Sequence, residues 1–552
     1  MRTVIRAEYG WRRYARADVE VWTKGYGVIE DSEVLLARLA DWVSGANVLD
    51  MAELLRRLEG HFAIVATTPE WGLAAVDRVR SIPLAFARCN GEWCIDDQAV
   101  RLSNGARLCQ THVDSEAALA LGMAGYTIDD TTLYRGLHQV GPGELVLFTA
   151  GNEPQRHRYY RYRPWRADKP AYDPARSRKA LAETTLAVID SMMKSIGDRT
   201  LVVPLSGGRD SRLIVSAAHH LGYRNIRTFA YGQPDNHDAN ASRSIAERLG
   251  LPWRFTPSTP SIMRRYFQDG THSRYCAFAD SLQSVPFVQD LPQIQALKQD
   301  GYIPSDAVFA NGSTGDYLSG GHIVPEMQAV PQGLSHEGRI DRITSALFKK
   351  HFGLWTVLQT PANRARIKRQ HIASFESVGA SLADPADDYG LYEYAEFQDR
   401  QCKYVISGQR IYEYLGHEWR LPLWDKAYLD FFERVPLEGK IGQRLYADTL
   451  GQENWGGVWT NLPVNAKTIR PHWLRPIRFA AKLALAPLGR DAWHRFERRY
   501  LHYWMAPGSH DAIRDYTTVA CDRRGARHGV AWLTEAYLNS HRLTYEGVPV
   551  LA

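Results

Sequence analysis

Along the first 165 residues the apolar positions come in short runs broken by turn residues, which is the spacing of strands. His61-Phe-Ala-Ile-Val-Ala66, Ile82-Pro-Leu-Ala-Phe-Ala87 and Glu144-Leu-Val-Leu-Phe148 read as strands of this kind. Two stretches with helical spacing interrupt them, near Asp31–Ser44 and Asp50–Leu58. Pro164–Pro174 carries three prolines among charged residues and reads as a linker. Beyond it the pattern alternates: helix Ala175–Ile196, strand Leu201–Leu205, helix Ser211–Leu221, strand Ile226–Tyr231, helix Asp238–Leu249, strand Trp253–Thr256. Such alternation predicts a parallel sheet with ligands at the carboxyl ends of its strands. A further strand, Ala307–Ala310, runs into the glycine-rich stretch Asn311–Gly321, and residues 335 to 450 read as mostly helical. The expected organisation is three parts, 1–165, 166–455 and 456–552.

The run Leu201-Val-Val-Pro-Leu-Ser-Gly-Gly-Arg-Asp-Ser-Arg-Leu-Ile-Val215 joins a β-branched strand to a helix through a glycine turn. Backbone N–H groups freed by the glycines, with the positive end of the helix, make an anion site. Walker-type loops end in Gly-Lys-Ser/Thr; this one lacks the lysine and holds a carboxylate, Asp210. A carboxylate facing phosphates is repulsive unless a cation bridges them, so the loop calls for Mg²⁺ beside a nucleotide. Leu205, Ser206, Gly207, Gly208, Asp210 and Ser211 are its nucleotide-binding candidates.

Composition changes this picture little. A chain of 552 residues with 45% hydrophobic and 23% charged residues has material for more than one core. A net charge of +6 over that length does not argue for nucleic acid. The six cysteines are scattered, without a Cys-x-x-Cys pair or a histidine cluster of zinc spacing, and read as reduced thiols. The amino terminus lacks the apolar core of a signal peptide, and the longest apolar stretch, Phe479–Leu488, is interrupted by Lys482. A soluble, cytoplasmic protein is expected. Residues 466–552 are basic and aromatic, with the runs Arg470–Phe479 and Arg490–Trp504. The favoured reading is an added helical layer whose arginine stems cover apolar surface. The less favoured one is docking to a membrane face or an acidic partner.

Several motifs, in order, carry a resemblance. Leu58-Glu-Gly-His-Phe-Ala-Ile-Val65, Asp77-Arg-Val-Arg-Ser-Ile-Pro-Leu84 and Val140-Gly-Pro-Gly-Glu-Leu145 look like parts of an amidotransferase-type domain. Ser206-Gly-Gly-x-Asp-Ser211 is similar to the pyrophosphate loop of enzymes that split ATP into AMP and pyrophosphate. Thr228-Phe-Ala-Tyr-Gly232 with Asp238, the second loop Asn311-Gly-Ser-Thr-Gly-Asp316, Gly416-His-Glu-Trp-Arg-Leu-Pro-Leu-Trp-Asp425, and Lys440 after Val435-Pro436 follow. Over residues 55 to 455 this series resembles the asparagine synthetase family, which also includes β-lactam and carbapenam synthetases and lasso-peptide cyclases. The resemblance implies an α/β chain. An N-terminal Ntn-type β-sandwich between helices would precede a doubly wound parallel-sheet, adenine-nucleotide α-hydrolase-like domain with a helical C-terminal portion. It implies ATP and Mg²⁺ as cofactors, with Tyr231, Asn311 and Gly312 on the nucleotide, Asp210 and Asp316 on the metal, and Lys440, Asp210 and Asp316 as catalytic residues.

The implied chemistry is activation of a small-molecule carboxylate as an acyl-adenylate, followed by attack of ammonia or an amine. Two departures bear on it. Glutamine-using members carry a catalytic cysteine at the amino terminus, whereas position 2 is Arg2 and the first cysteine is Cys89. A glutaminase of its own is therefore not expected, and nitrogen would come from ammonia, a separate amidotransferase or an amine on the substrate. Ser313 stands where family members place a glutamate or tyrosine that helps deprotonate the amine, and a hydroxyl is a feeble base. The second loop and the missing glutaminase look like relatives linked to surface-polysaccharide synthesis, which suggests amidation of a sugar acid. Ammonia-dependent asparagine synthesis and a non-catalytic nucleotide-binding homologue are the alternatives. A tRNA-modifying enzyme is disfavoured by the modest charge and isolated cysteines, so no nucleic-acid partner is expected.

Overall fold

The structure, a computed structural model, describes residues 1–16, 18–26, 48–165, 169–379, 384–460, 462, 464 and 469–543. The helical pattern near Asp31–Ser44 lies outside these residues. The second expected helix is present as Val48–Arg57.

The first 165 residues contribute ten strands: β1 (Arg2–Thr3), β2 (Arg12–Arg16), β3 (Val19–Tyr26), β4 (His61–Thr67), β5 (Trp71–Val76), β6 (Ala85–Cys89), β7 (Glu92–Asp96), β8 (Leu137–Gln139), β9 (Glu144–Thr149) and β10 (Gln155–Arg158). They form a four-stranded sheet, β1-β7-β6-β8, and a six-stranded sheet, β10-β9-β5-β4-β3-β2. Strict alternation along β4 and β5 separates two cores. Phe62, Ile64, Ala66, Leu73 and Ala75 meet Met51, Ala52 and Leu55 of the helix Val48–Arg57. Ala63, Val65, Ala74 and Val76 point the other way, into the core that holds Phe86, Ala87 and Ile95 of the smaller sheet. The helix Ala99–Gly105 packs on β6 and β7. The result is the expected sandwich of two sheets between helices. The expected strand Ile82–Ala87 begins only at Ala85. Before it, the Asp77 carboxylate accepts the Val79 and Ser81 amides at 2.9 and 3.2 Å and holds that segment as a turn.

The second part is built on a parallel sheet of β11 (Leu201–Pro204), β12 (Ile226–Gly232), β13 (Trp253–Pro257), β14 (Val308–Ala310) and β15 (Glu418–Arg420), ordered β13-β12-β11-β14-β15. Leu201, Val202 and Val203 and all of β14 are buried, as strands covered on both faces must be. From β11 the chain first adds strands on one side, then crosses to the other at β14. The switch point between β11 and β14 opens a crevice at their carboxyl ends, where the two glycine-rich loops leave the sheet. β15 was not expected: it lies within the stretch read as helical.

The two parts share one continuous core. Polar contacts reinforce the junction: Tyr160 Oη donates to Glu433 at 2.6 Å, Lys403 Nζ to the Thr127 carbonyl at 2.7 Å, and Arg78 pairs with Asp430 at 2.7 Å. The Pro164–Pro174 stretch is docked at both ends of its described residues. Lys169 Nζ donates to the Pro164 carbonyl and to Tyr389 Oη, and Asp173 caps the helix Pro174–Ile196 through the Ala175 and Arg176 amides. In the C-terminal part the helix Gly529–Ser540 packs against the buried helix Ser115–Ala124, so this region is not wholly peripheral.

Candidate functional site

A cavity of about 480 Å³ opens at the switch point, lined by the loop after β11, the loop after β14 and the end of β12. A larger cleft of about 860 Å³ lies elsewhere, between β2–β3 and β15, and takes in Glu418 and Arg420 of the Gly416–Asp425 motif. Arg420 there bonds Glu418 and Ser195, a structural arrangement at the sheet edge. Both glycine loops and the paired carboxylates converge on the smaller cavity.

The first loop is braced by its own hydroxyls. Ser211 Oγ accepts the Ser206 N–H at 3.0 Å, and Ser206 Oγ accepts the Gly208 N–H at 3.2 Å. Arg212 Nη2 donates to the Gly207 carbonyl at 2.8 Å and Nη1 to the Val458 carbonyl at 3.2 Å, pinning the loop from behind. The second loop lies directly against it. A Cβ on Gly312 would sit 2.6 Å from the Ser211 nitrogen, so only glycine permits this approach.

The two carboxylates meet through that contact. Asp210 Oδ2 accepts the Asp316 N–H at 3.0 Å, and Asp210 Oδ1 accepts Tyr446 Oη at 3.0 Å. Burial, with the Asp316 charge beside it, pushes Asp210 up to about 7. Asp316 feels burial too, but the His322 imidazole outweighs it and holds its pKa below the usual carboxylate range. His322 Nε2 lies 3.2 Å from Asp316 Oδ2, and its Nδ1 bonds Glu396, itself held by His351 at 3.0 Å. Against the pull of burial, Glu396 and Asp316 raise His322 to about 9, so the imidazole is charged at neutral pH. Asp316 Oδ1 is buried without a hydrogen-bond partner.

Leu205, Ser206, Gly208, Asp210, Ser211, Tyr231, Asn311, Gly312 and Asp316 all line the cavity, and Gly207 sits just behind it against the helix His237–Leu249. Tyr231 Oη accepts Gln289 Nε2 at 2.6 Å, and Asn311 Oδ1 accepts the Ser313 N–H at 3.1 Å. Lys440 is the exception. Its ammonium is fully buried, 2.7 Å from Glu393 Oε2 and 3.3 Å from Tyr162 Oη, and does not line the cavity. A chain reversal separates this expected catalytic residue from the cavity: Gly442 and Gln443 adopt positive φ of 67° and 58°. That turn presents Gln443 to the cavity and leaves Lys440 beneath it.

Sequence reasoning missed a cation that does line the cavity. Arg209, the variable position of the first loop, is the only Lys or Arg among the described lining residues. Its guanidinium donates to the neutral Gln443 Oε1 at 3.2 Å, and Gln443 Nε2 donates to Ser319 Oγ at 2.8 Å. Its place inside the anion loop was the available signal. The Tyr446 bond to Asp210 and the Pro507 wall come from distant segments with no local signature. None of the six thiols lines the cavity.

The parallel sheet, with two glycine loops and facing carboxylates at its switch point, defines an α/β domain with a cavity at the carboxyl ends of its strands. Residues 186–452, just under half of the chain, match the asparagine synthase family. No curated protein matches the chain. Among solved structures, glutamine phosphoribosylpyrophosphate amidotransferase from B. subtilis, complexed with ADP and GMP, is 11% identical over 44% of this chain and 72% of its own, with a TM-score of 0.18. NMN synthetase from Francisella tularensis is 15% identical over 38% of this chain and 98% of its own, with a TM-score of 0.20.

Proposed function

We propose that the chain is an AMP-forming amide ligase, which activates a carboxylate as an acyl-adenylate for attack by ammonia or an amine and has no glutaminase of its own. The observation that carries this reading is the convergence of the Ser206–Ser211 loop, Asp210 and Asp316 on one cavity. ATP would lie with its base toward the apolar end, among Ala230, Phe287 and Pro507, and its phosphates at the loop amides and the start of the helix Asp210–His220.

The residues present fit Mg²⁺. Asp316 Oδ1 is buried and unsatisfied, and two carboxylates plus phosphate oxygens are the donor set this ion takes. When bound, Mg²⁺ would neutralise charge on the departing pyrophosphate. Asp210 and Asp316 would hold it, His322 keeps Asp316 ionised, and Tyr446 orients Asp210. Arg209, whose partner Gln443 is neutral, can turn to the leaving phosphates at little cost and stabilise their developing charge. Ser313 lines the same cavity and offers no strong base, which favours an acceptor other than that of asparagine synthesis, a sugar acid being one such class.

The test is release of AMP and pyrophosphate from Mg-ATP with ammonium and a panel of aspartate, uronic acids and nucleotide-linked uronates. Release that depends on one acid and is lost in Asp316→Asn supports the reading. ADP formation, or ATP binding with no acid-dependent turnover across the panel, argues against it.

A further inference from the structure

The helix Leu474–Leu485 has more apolar surface than its packing uses. Leu474, Ala481 and Leu485 face inward, onto Trp493 and Phe496 of the helix Gly489–Phe496. A single stripe of this kind accounts for a surface helix. A second stripe points away from the protein: Phe479 and Leu483, one turn apart, are 67% and 61% exposed, and Leu488 is at 70% just beyond the helix end; Trp473 and Ile477, on the other flank, are about half exposed. Half of the ten large hydrophobic residues that are exposed among the described residues lie within these sixteen positions, 473 to 488. The arginine stems do not cover them. Instead, a shallow groove of about 670 Å³ has Phe479, Leu483 and Ala486 in its apolar wall and Arg475, Arg478 and Lys482 along its basic one.

Charge is concentrated in the same place. Residues 470–499 hold eight arginines and lysines against two carboxylates, a net charge of +6 that equals that of the whole chain. The remaining residues are neutral in sum. From this juxtaposition of an outward apolar stripe, a basic flank and an interfacial tryptophan, we infer that the helix Leu474–Leu485 docks in the plane of an anionic lipid surface. Phe479 and Leu483 enter the acyl boundary, and the exposed Arg475 and Lys482 meet the headgroups, while Arg478 is held inward by Glu497. A second copy of the chain would bring +6 against +6 and is disfavoured. A nucleic-acid backbone would satisfy the charge but leave Phe479 and Leu483 in water. No helix among the described residues is long and apolar enough to cross a membrane, so the contact lies on the bilayer and does not span it. This inference does not depend on the reaction proposed above.

Flotation of the full chain with phosphatidylglycerol–phosphatidylcholine vesicles, against vesicles of phosphatidylcholine alone, tests it. Binding is expected to the anionic vesicles, weaker by about tenfold or more on neutral ones and falling with added salt. Phe479→Ser with Leu483→Ser should weaken it by about tenfold or more. Lys482→Glu, at another exposed position, should weaken it independently, and thermal unfolding of each variant verifies that the fold is kept. The inference is overturned if the chain fails to float with anionic vesicles at low salt, or if the serine variant floats as well as the parent. It is also overturned if that variant instead dissolves a dimer seen by sedimentation, or if an acidic polypeptide is bound as tightly as the vesicles.

Discussion

Exchanging the roles of two cations gives the sharpest test of the site. Arg209 faces the cavity and is bonded to a neutral amide, whereas Lys440 is buried against Glu393 at 2.7 Å, with side chains 0% and 1% exposed. In Arg209→Met the protein should keep its stability, because only a hydrogen bond to Gln443 is lost. A charge-assisted bond to phosphate oxygens is worth about 1.5–3 kcal/mol, so kcat/KM for ATP should fall by about 10- to 150-fold. Lys440→Met leaves a buried carboxylate without its partner, which costs about 3–5 kcal/mol of stability. The double variant Lys440→Met with Glu393→Leu should recover most of that loss, since the uncompensated charge is then gone. Pyrophosphate release measures the first effect and denaturant unfolding the second. The reasoning is refuted if Arg209→Met stays within about twofold of the parent, or if Lys440→Met folds with unchanged stability and yet loses turnover.

Two further outcomes follow from the packing. Gly312→Ala places a methyl 2.6 Å from the Ser211 nitrogen and must push the two loops apart; turnover should drop by about a hundredfold, read in the same pyrophosphate assay, while the unfolding midpoint changes little. His371 is buried with neither ring nitrogen hydrogen-bonded, and burial lowers its pKa from 6.5 to about 3. Because the unfolded chain takes up the proton first, the stability tied to this group is complete above pH 6.5 and is lost as pH falls toward 3, at about 1.4 kcal/mol per unit. His371→Leu should remove that share of the acid sensitivity, so its advantage over the parent in urea should grow between pH 7 and pH 5; a constant difference would show that the imidazole does not titrate in this way.

What was legible along the chain was whatever is decided locally. The β11 strand, its glycine turn and the helix that follows are set by a β-branched run, two glycines and an acidic first turn, and the structure places them within a residue or two of their expected ends. The sandwich was legible only through the motifs that resemble an amidotransferase-type domain; that β4 and β5 face two separate cores is seen only in the folded packing. β15 was not, since three residues inside a helical region become a strand only because β14 offers an unpaired edge. Nor was the placement of Arg209 rather than Lys440 at the cavity, which turns on a reversal at Gly442 and on a carboxylate from residue 393, forty-seven positions from Lys440 in sequence. Tyr446 and Pro507 reach the cavity only after the chain has closed on itself. The sequence by itself determined the strand–loop–helix chemistry, because backbone propensity and an anion loop need only neighbouring residues. Which charges face the cavity, which are neutralised beneath it, and which apolar face of the helix Leu474–Leu485 stays uncovered were decided by tertiary packing, because burial and charge pairing are properties of what the fold brings together.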